Sequence, residues 1–151
     1  MCGIFGILDI KTDVLELRTE ALELSKLLRH RGPDWSGIWH NDNTILCRER
    51  LAIVDVDKGA QQLISDNGNQ VLAVNGEIYN HKNLETKLAS PYHFATKSDC
   101  EVIIPLYQQE GVNSIDKLEG MFAFVLYDQE SNTDLIARDH IGIIPLYTGF
   151  D

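Results

Sequence analysis

The sequence predicts a layered α+β fold built on antiparallel sheets. Apolar runs with β-branched content recur at 3–10, 71–74 and 121–128. Helical spacing is confined to a few segments between them. Strands and helices do not alternate regularly enough for parallel crossover units.

The elements follow in order. Gly-Ile-Phe-Gly-Ile-Leu-Asp-Ile at 3–10 reads as a buried strand. Asp13 with Glu16 opens a helix in the manner of a capping box, with Asp in place of the usual Ser or Thr. Leu17, Ala21, Leu24 and Leu28 then share one helical face, and Gly32-Pro33 stops the helix near His30. Segments 35–40 and 43–48 are short strands joined by a turn at Asn41-Asp42. The run 71–74 is a buried strand that delivers Asn75-Gly76-Glu77 at its end. A short helix is expected over 82–89. Ser98 and Glu101 are spaced as a capping box for a helix to about Glu110. Pro105 falls inside that helix, and an interior Pro costs about 3 kcal/mol and kinks the axis. Segments 121–128 and 133–138 pair across a turn at 129–132, and Pro145-Leu146-Tyr147 begins a last extended segment that lacks a sheet partner.

Composition narrows the class of function. The length of 151 residues suits one domain, and 44% hydrophobic content excludes wholesale disorder. A net charge of −10 argues against nucleic-acid binding. No apolar run approaches the roughly 18–20 residues that span a bilayer, so no membrane is expected. The start, Met1-Cys2-Gly3, reaches Asp9 too early for a secretory signal, and the cytoplasm is the expected compartment. Cys2, Cys47 and Cys100 are odd in number and widely spaced, which supports neither a zinc site nor a redox dithiol. Two of them read as small core residues. There is no repeat, low-complexity tract or linker.

The third cysteine stands at position 2. Removal of Met1 would leave a thiol and an α-amine on one residue, with ordinary pKa values of roughly 8.5 and 7.7–8.0. The amine can take the thiol proton and later return it to a leaving group, so one residue supplies nucleophile and base. Gly3 beside it is expected to let the backbone pack closely against a substrate.

Six ordered blocks carry a resemblance: Met1-Cys2-Gly3-Ile4, Arg29-His30-Arg31-Gly32-Pro33-Asp34, Glu49-Arg50-Leu51-Ala52-Ile53-Val54-Asp55, Asn75-Gly76-Glu77-Ile78-Tyr79-Asn80, Ser98-Asp99, and Arg138-Asp139-His140 running on to Tyr147. The chain resembles the glutaminase domain of glutamine-hydrolysing asparagine synthetases of the bacterial B type, a class II glutamine amidotransferase domain. The block Arg31-Gly32-Pro33-Asp34-Trp35-Ser36-Gly37 separates it from the sugar-phosphate and purine-pathway amidotransferases. The resemblance implies an N-terminal-nucleophile hydrolase fold, an αββα sandwich of antiparallel sheets. It implies that residues 1–151 form an incomplete type 2 amidotransferase domain, truncated at its C-terminus, with the synthetase domain absent.

By the same resemblance Cys2 attacks the glutamine side-chain amide, forms a glutamyl thioester and releases ammonia. Asn75, through its side-chain amide, and Gly76, through its backbone N–H, form the oxyanion hole. Arg50 pairs with the substrate carboxylate through its planar fork. Leu51, Ala52, Ile53 and Val54 line the glutamine site, the last two through their backbone. Glu77 and Asp99 accept hydrogen bonds from the substrate ammonium. In an extended segment Asn75 and Glu77 share a face, so one strand end can address both reaction centre and recognition end. Each of these residues also has an ordinary structural use; Asn75-Gly76, for instance, is a common turn dipeptide. Their joint occurrence in order is what favours the glutamine site. Arg29, Arg31, Asp34, Arg138 and Asp139 are expected to brace loops, and His30 and His140 to be structural.

Lys97 and Pro105 depart from the family pattern, and Lys97 borders the proposed ammonium site. Glutamine hydrolysis implies no cofactor. ATP and Mg are implied only for the absent synthetase domain, which would amidate aspartate, and no Ser- and Gly-rich phosphate loop occurs here. The partners implied are glutamine and an ammonia-receiving synthetase domain or chain; oligomerisation is left open. Two other readings compete. One is a catalytically incompetent fragment that serves as a binding module, and the other is the amidotransferase half of another amide- or amino-transfer pathway.

Overall fold

The computed structural model describes residues 2–51 and 62–150. Its strands form two antiparallel sheets. The first has the order β1-β3-β2, from β1 (Gly3–Ile7), β2 (Trp35–His40) and β3 (Ile45–Arg50). The second has the order β4-β5-β6-β7, from β4 (Leu63–Ile64), β5 (Gln70–Ile78), β6 (Gly120–Asp128) and β7 (Thr133–Arg138). The α-helices are α1 (Val14–Lys26), α2 (His81–Thr86) and α3 (Ile103–Glu110).

Strand alternation sorts the side chains into layers. Ile45 and Cys47 of β3 turn toward α1 and pack with Val14, Ala21, Phe5 and Ile7. Leu46 between them turns the other way, where it joins Ile4, Val71, Ala73, Val125 and Tyr127 in the space between the sheets. Leu72 and Val74 face α3 and pack with Ile103, Ile104, Leu106, Phe122 and Phe124. The order of layers is therefore helix, sheet, sheet, helix, an α+β sandwich of antiparallel sheets as the resemblance implied.

Several local expectations need correction. The first strand stops at Ile7 rather than residue 10, and Asp9 turns the chain with φ 55°. Asp13 does cap α1, its Oδ1 accepting from Leu15 N at 2.9 Å, but α1 ends at Lys26 and tighter turns carry the chain to Gly32. The second capping box does not form. Ser98 makes no side-chain cap bond, and a 3-10 helix over Asp99–Val102 leads into α3. Glu101 is buried and needs donors of its own; it takes the N–H groups of Ala95 and Thr96 and the Thr96 hydroxyl.

Pro105 causes no break, because it is the third residue of α3. First-turn N–H groups have no partner within an α-helix, so its missing donor is not needed. The segment from Pro145 joins no ladder. Just before it, Asp139, 3% exposed, gathers the N–H groups of Ile141, Gly142, Ile143 and Ile144 and fixes the turn after β7. No helix among the described residues is long and apolar enough to cross a membrane.

Candidate active site

β1 and β3 of one sheet lie against β5 of the other. Ile4 and Leu46 point into the gap between the sheets, so the even-numbered residues Cys2, Arg48 and Arg50 continue that face beyond the apolar layer. Gly3 pairs with Glu49, which brings Cys2 alongside Arg50. From the opposite sheet, Val71 and Ala73 point into the same gap, and Asn75 and Glu77 continue their face. One end of the gap thus collects a thiol and two guanidinium groups from one sheet, and an amide and a carboxylate from the other.

Cys2 is half-buried, and its Sγ accepts from Arg48 Nη2 at 3.8 Å. The other two thiols are buried. Burial, and after it the charge of Glu49, pushes Cys47 up to about 11. Burial, and after it Asp99, pushes Cys100 well above the usual thiol range, with Arg48 pulling the other way. Both remain uncharged thiols at neutral pH, which suits their place in the core.

The Asn75-Gly76 step is shaped by the ladder. Phe122, opposite Gly76, directs its N–H and C=O toward Asp139 on the far side of β6. Residues facing each other in an antiparallel pair either exchange both bonds or exchange none, so Gly76 also directs its backbone groups away from β6. Its carbonyl accepts from Cys100 Sγ at 3.5 Å, and at the next outward position Ile78 N donates to Asp99 Oδ2 at 2.6 Å. Gly76 has φ 153°, and a Cβ there would lie 2.1 Å from Met121 O. No other residue fits. Asn75 is 5% exposed, and its Oδ1 has no hydrogen-bond partner among the described residues.

The remaining predicted residues are distributed as follows. Arg50 is buried, Leu51 half-buried, Asp99 half-buried and Glu77 exposed. Ala52, Ile53 and Val54 lie outside the described residues, as does Met1. Gly3 does not open space for a ligand. Its α-carbon faces the turns that follow α1, where a Cβ would meet Leu28 Cβ at 2.8 Å, because position 3 points opposite to position 2 in a strand. Lys97 is exposed.

The loop-bracing residues divide. Asp139 is a clamp, held below the ordinary carboxylate range: burial acts to raise it, and the N–H groups of Ile143, Ile144, Phe122 and Gly142 together outweigh that. Arg138 lays its guanidinium against Gly142. Asp34 N donates to Arg50 O at 3.0 Å, and Gly32 is so close to β3 that a Cβ would lie 2.2 Å from Glu49 O. The block 29–34 therefore holds the strand that carries Arg50. His30 Nδ1 stands 2.9 Å from Leu27 O, a local contact, and His140 is exposed.

Two participants were missed in the sequence. Arg48 could have been found from its two-residue spacing to Arg50, which puts both on one strand face. Cys100 could not, since only tertiary packing seats it against the Gly76 carbonyl.

The chain is 62% identical over 151 residues to asparagine synthetase B [glutamine-hydrolyzing] of Escherichia coli, covering all of this chain and 27% of that protein. It is 54% identical over 150 residues to a probable asparagine synthetase [glutamine-hydrolyzing] of Schizosaccharomyces pombe, covering 99% of this chain and 27% of that one. The chain thus spans about a quarter of the length of these relatives. A solved glutamine phosphoribosylpyrophosphate amidotransferase from B. subtilis is similar over 65% of this chain and 24% of its own, at 22% identity and a TM-score of 0.47. The model of the glutamine amidotransferase domain matches residues 1–151, and the chain belongs to that family.

Proposed function

We propose that residues 1–151 act as a glutaminase module, with Cys2 as nucleophile once Met1 has been removed. The observation that carries this is the meeting, at one end of the inter-sheet gap, of Cys2 and Arg50 with Asn75, Gly76 and Glu77. Arg50 takes the substrate α-carboxylate. Glu77 and Asp99 take the α-ammonium, and Leu51 borders the site. An analogue lacking either charged group would leave these readers unpaired.

The α-amine of Cys2 accepts the thiol proton, and Sγ attacks the side-chain carbonyl carbon of glutamine. The carbonyl π pair moves to oxygen, where Asn75 Nδ2 and Gly76 N–H receive it. A donor of this kind contributes roughly 2.7–4 kcal/mol at the transition state. As the tetrahedral species collapses the C–N bond breaks, and the α-ammonium returns its proton to the departing ammonia. Water then adds to the thioester, giving a proton to the amine. The C–S bond breaks, and glutamate leaves with the thiol restored. No step requires a cofactor.

The similarity to asparagine synthetases supports aspartate, activated with ATP and Mg by a synthetase domain, as the acceptor of the ammonia. Three unpaired cysteines among the described residues suit a reducing compartment, and the cytoplasm is the location we propose.

The test combines mass and turnover. Intact mass should show loss of Met1 and a single adduct at Cys2 after treatment with a glutamine-like electrophile, and Cys2→Ala should release no glutamate from glutamine. Full glutamate release by Cys2→Ala, or by protein that retains Met1, overturns the proposal.

A further inference from the structure

We infer that Arg48 is a catalytic residue of this reaction, the fixed cation that faces the Cys2 sulfur while the sulfur carries negative charge. The inference rests on Cys2 being the nucleophile, and it adds a residue that the steps above do not use.

Three observations carry it. Arg48 Nη2 donates to Cys2 Sγ at 3.8 Å, so the guanidinium touches the reacting atom. Among the described residues Arg48 forms no ion pair with a carboxylate, and its buried Nε has no hydrogen-bond partner. Among the described residues no acid pairs with its charge, and the Cys2 sulfur lies in its field, as Cys100 does. The register fixes the placement. Arg48 pairs with Ile4 on β1 and with Gly37 on β2, in the middle strand of its sheet, so the base of its side chain is held on both sides.

The charge matters at two moments. Sulfur is anionic after its proton has passed to the amine, and again when the C–S bond of the thioester breaks. A preorganised cation at that atom favours both without reorganising. Arg50 cannot do the same work while its fork holds the substrate carboxylate. The two arginines, two residues apart on one face, divide the labour: Arg48 serves the reacting atom and Arg50 the recognition end.

The experiment reads the local potential directly. Iodoacetate and iodoacetamide alkylate the same sulfur but differ by one negative charge. In the protein as encoded, with the adduct located on Cys2 by mass, the rate ratio of iodoacetate to iodoacetamide should fall several-fold in Arg48→Gln and return in Arg48→Lys. A structural role alone would not move a charge ratio and would not be restored by Lys. With glutamine, Arg48→Gln should lower kcat by about tenfold or more with KM nearly unchanged. Should Arg48→Gln melt below the assay temperature, Arg48→Met replaces it in the same comparison. An unchanged ratio overturns the inference. So does a raised KM with unchanged kcat, which would make Arg48 a reader of substrate. Full glutaminase activity in Cys2→Ala, by contrast, removes the proposed nucleophile whatever the alkylation ratio shows.

Discussion

At the residue scale, Asn75 is the informative side chain. A buried amide oxygen costs roughly 1–3 kcal/mol when unpartnered, and Asn75 Oδ1 has no partner among the described residues, so stability alone does not favour an amide here. An isosteric apolar replacement removes that cost together with the donor. Asn75→Leu should therefore keep its unfolding free energy within about 1 kcal/mol of the parent. It should lose about 10²–10³ in glutaminase kcat. Urea unfolding and steady-state turnover check the two halves. A variant that loses stability and keeps its rate would give Asn75 a structural task instead. Gly76 beside it is required by the β6 backbone, which leaves no room for a Cβ.

At the level of elements, α3 shows how a sequence rule is overridden by position. Pro105 within a predicted helix from Ser98 reads as an interior breaker. In the structure the preceding turn is 3-10, α3 begins at Ile103, and the proline lies in its first turn. Pro105→Ala should then change stability by less than about 1 kcal/mol, far from the roughly 3 kcal/mol of a truly interior proline. Thermal melts of the pair decide it; a gain of several kcal/mol in the Ala variant would mean that the proline strains the helix. The strands were easier to read, because short continuous apolar runs such as Val71 to Val74 mark strands buried on both faces. The register that sets Asn75 opposite Ala123 and Gly76 opposite Phe122 is a pairing of residues almost fifty positions apart, which local pattern does not specify.

For the whole molecule, the sandwich is closed at one end by Asp139, which ties β6 to the chain after β7. Its carboxyl lies below the ordinary value of 3.8 in the folded state. A lowered folded pKa means that the unfolded chain binds the proton more readily. The contribution is therefore complete above pH 3.8 and is lost as the pH falls through the folded value. Asp139→Asn should lower stability at pH 7 by about 1.5–3 kcal/mol, the worth of hydrogen bonds to a charged group. The gap between variant and parent should narrow as the pH falls below 3.8 toward the folded value, where the carboxylate takes up its proton. Thermal melts across that range test this, and a gap of undiminished size would assign the loss to geometry rather than charge. Asp134 runs the other way: burial, and then the charge of Asp9, raises its carboxyl, so the folded chain gains stability as that group takes up its proton.

The sequence by itself determined the class of fold, the runs that become its main strands, and the ordered blocks around Cys2, Arg50 and Asn75-Gly76. These depend on local periodicity and on residue types at fixed positions, both of which can be read along one dimension. Only the tertiary structure decided that Gly3 packs against Leu28, that Glu101 and Asp139 are loop clamps, and that Cys100 sits against the Gly76 carbonyl. Those outcomes come from two sheets meeting face to face. Which groups confront one another across that gap is set by long-range register and burial, and neither leaves a local mark.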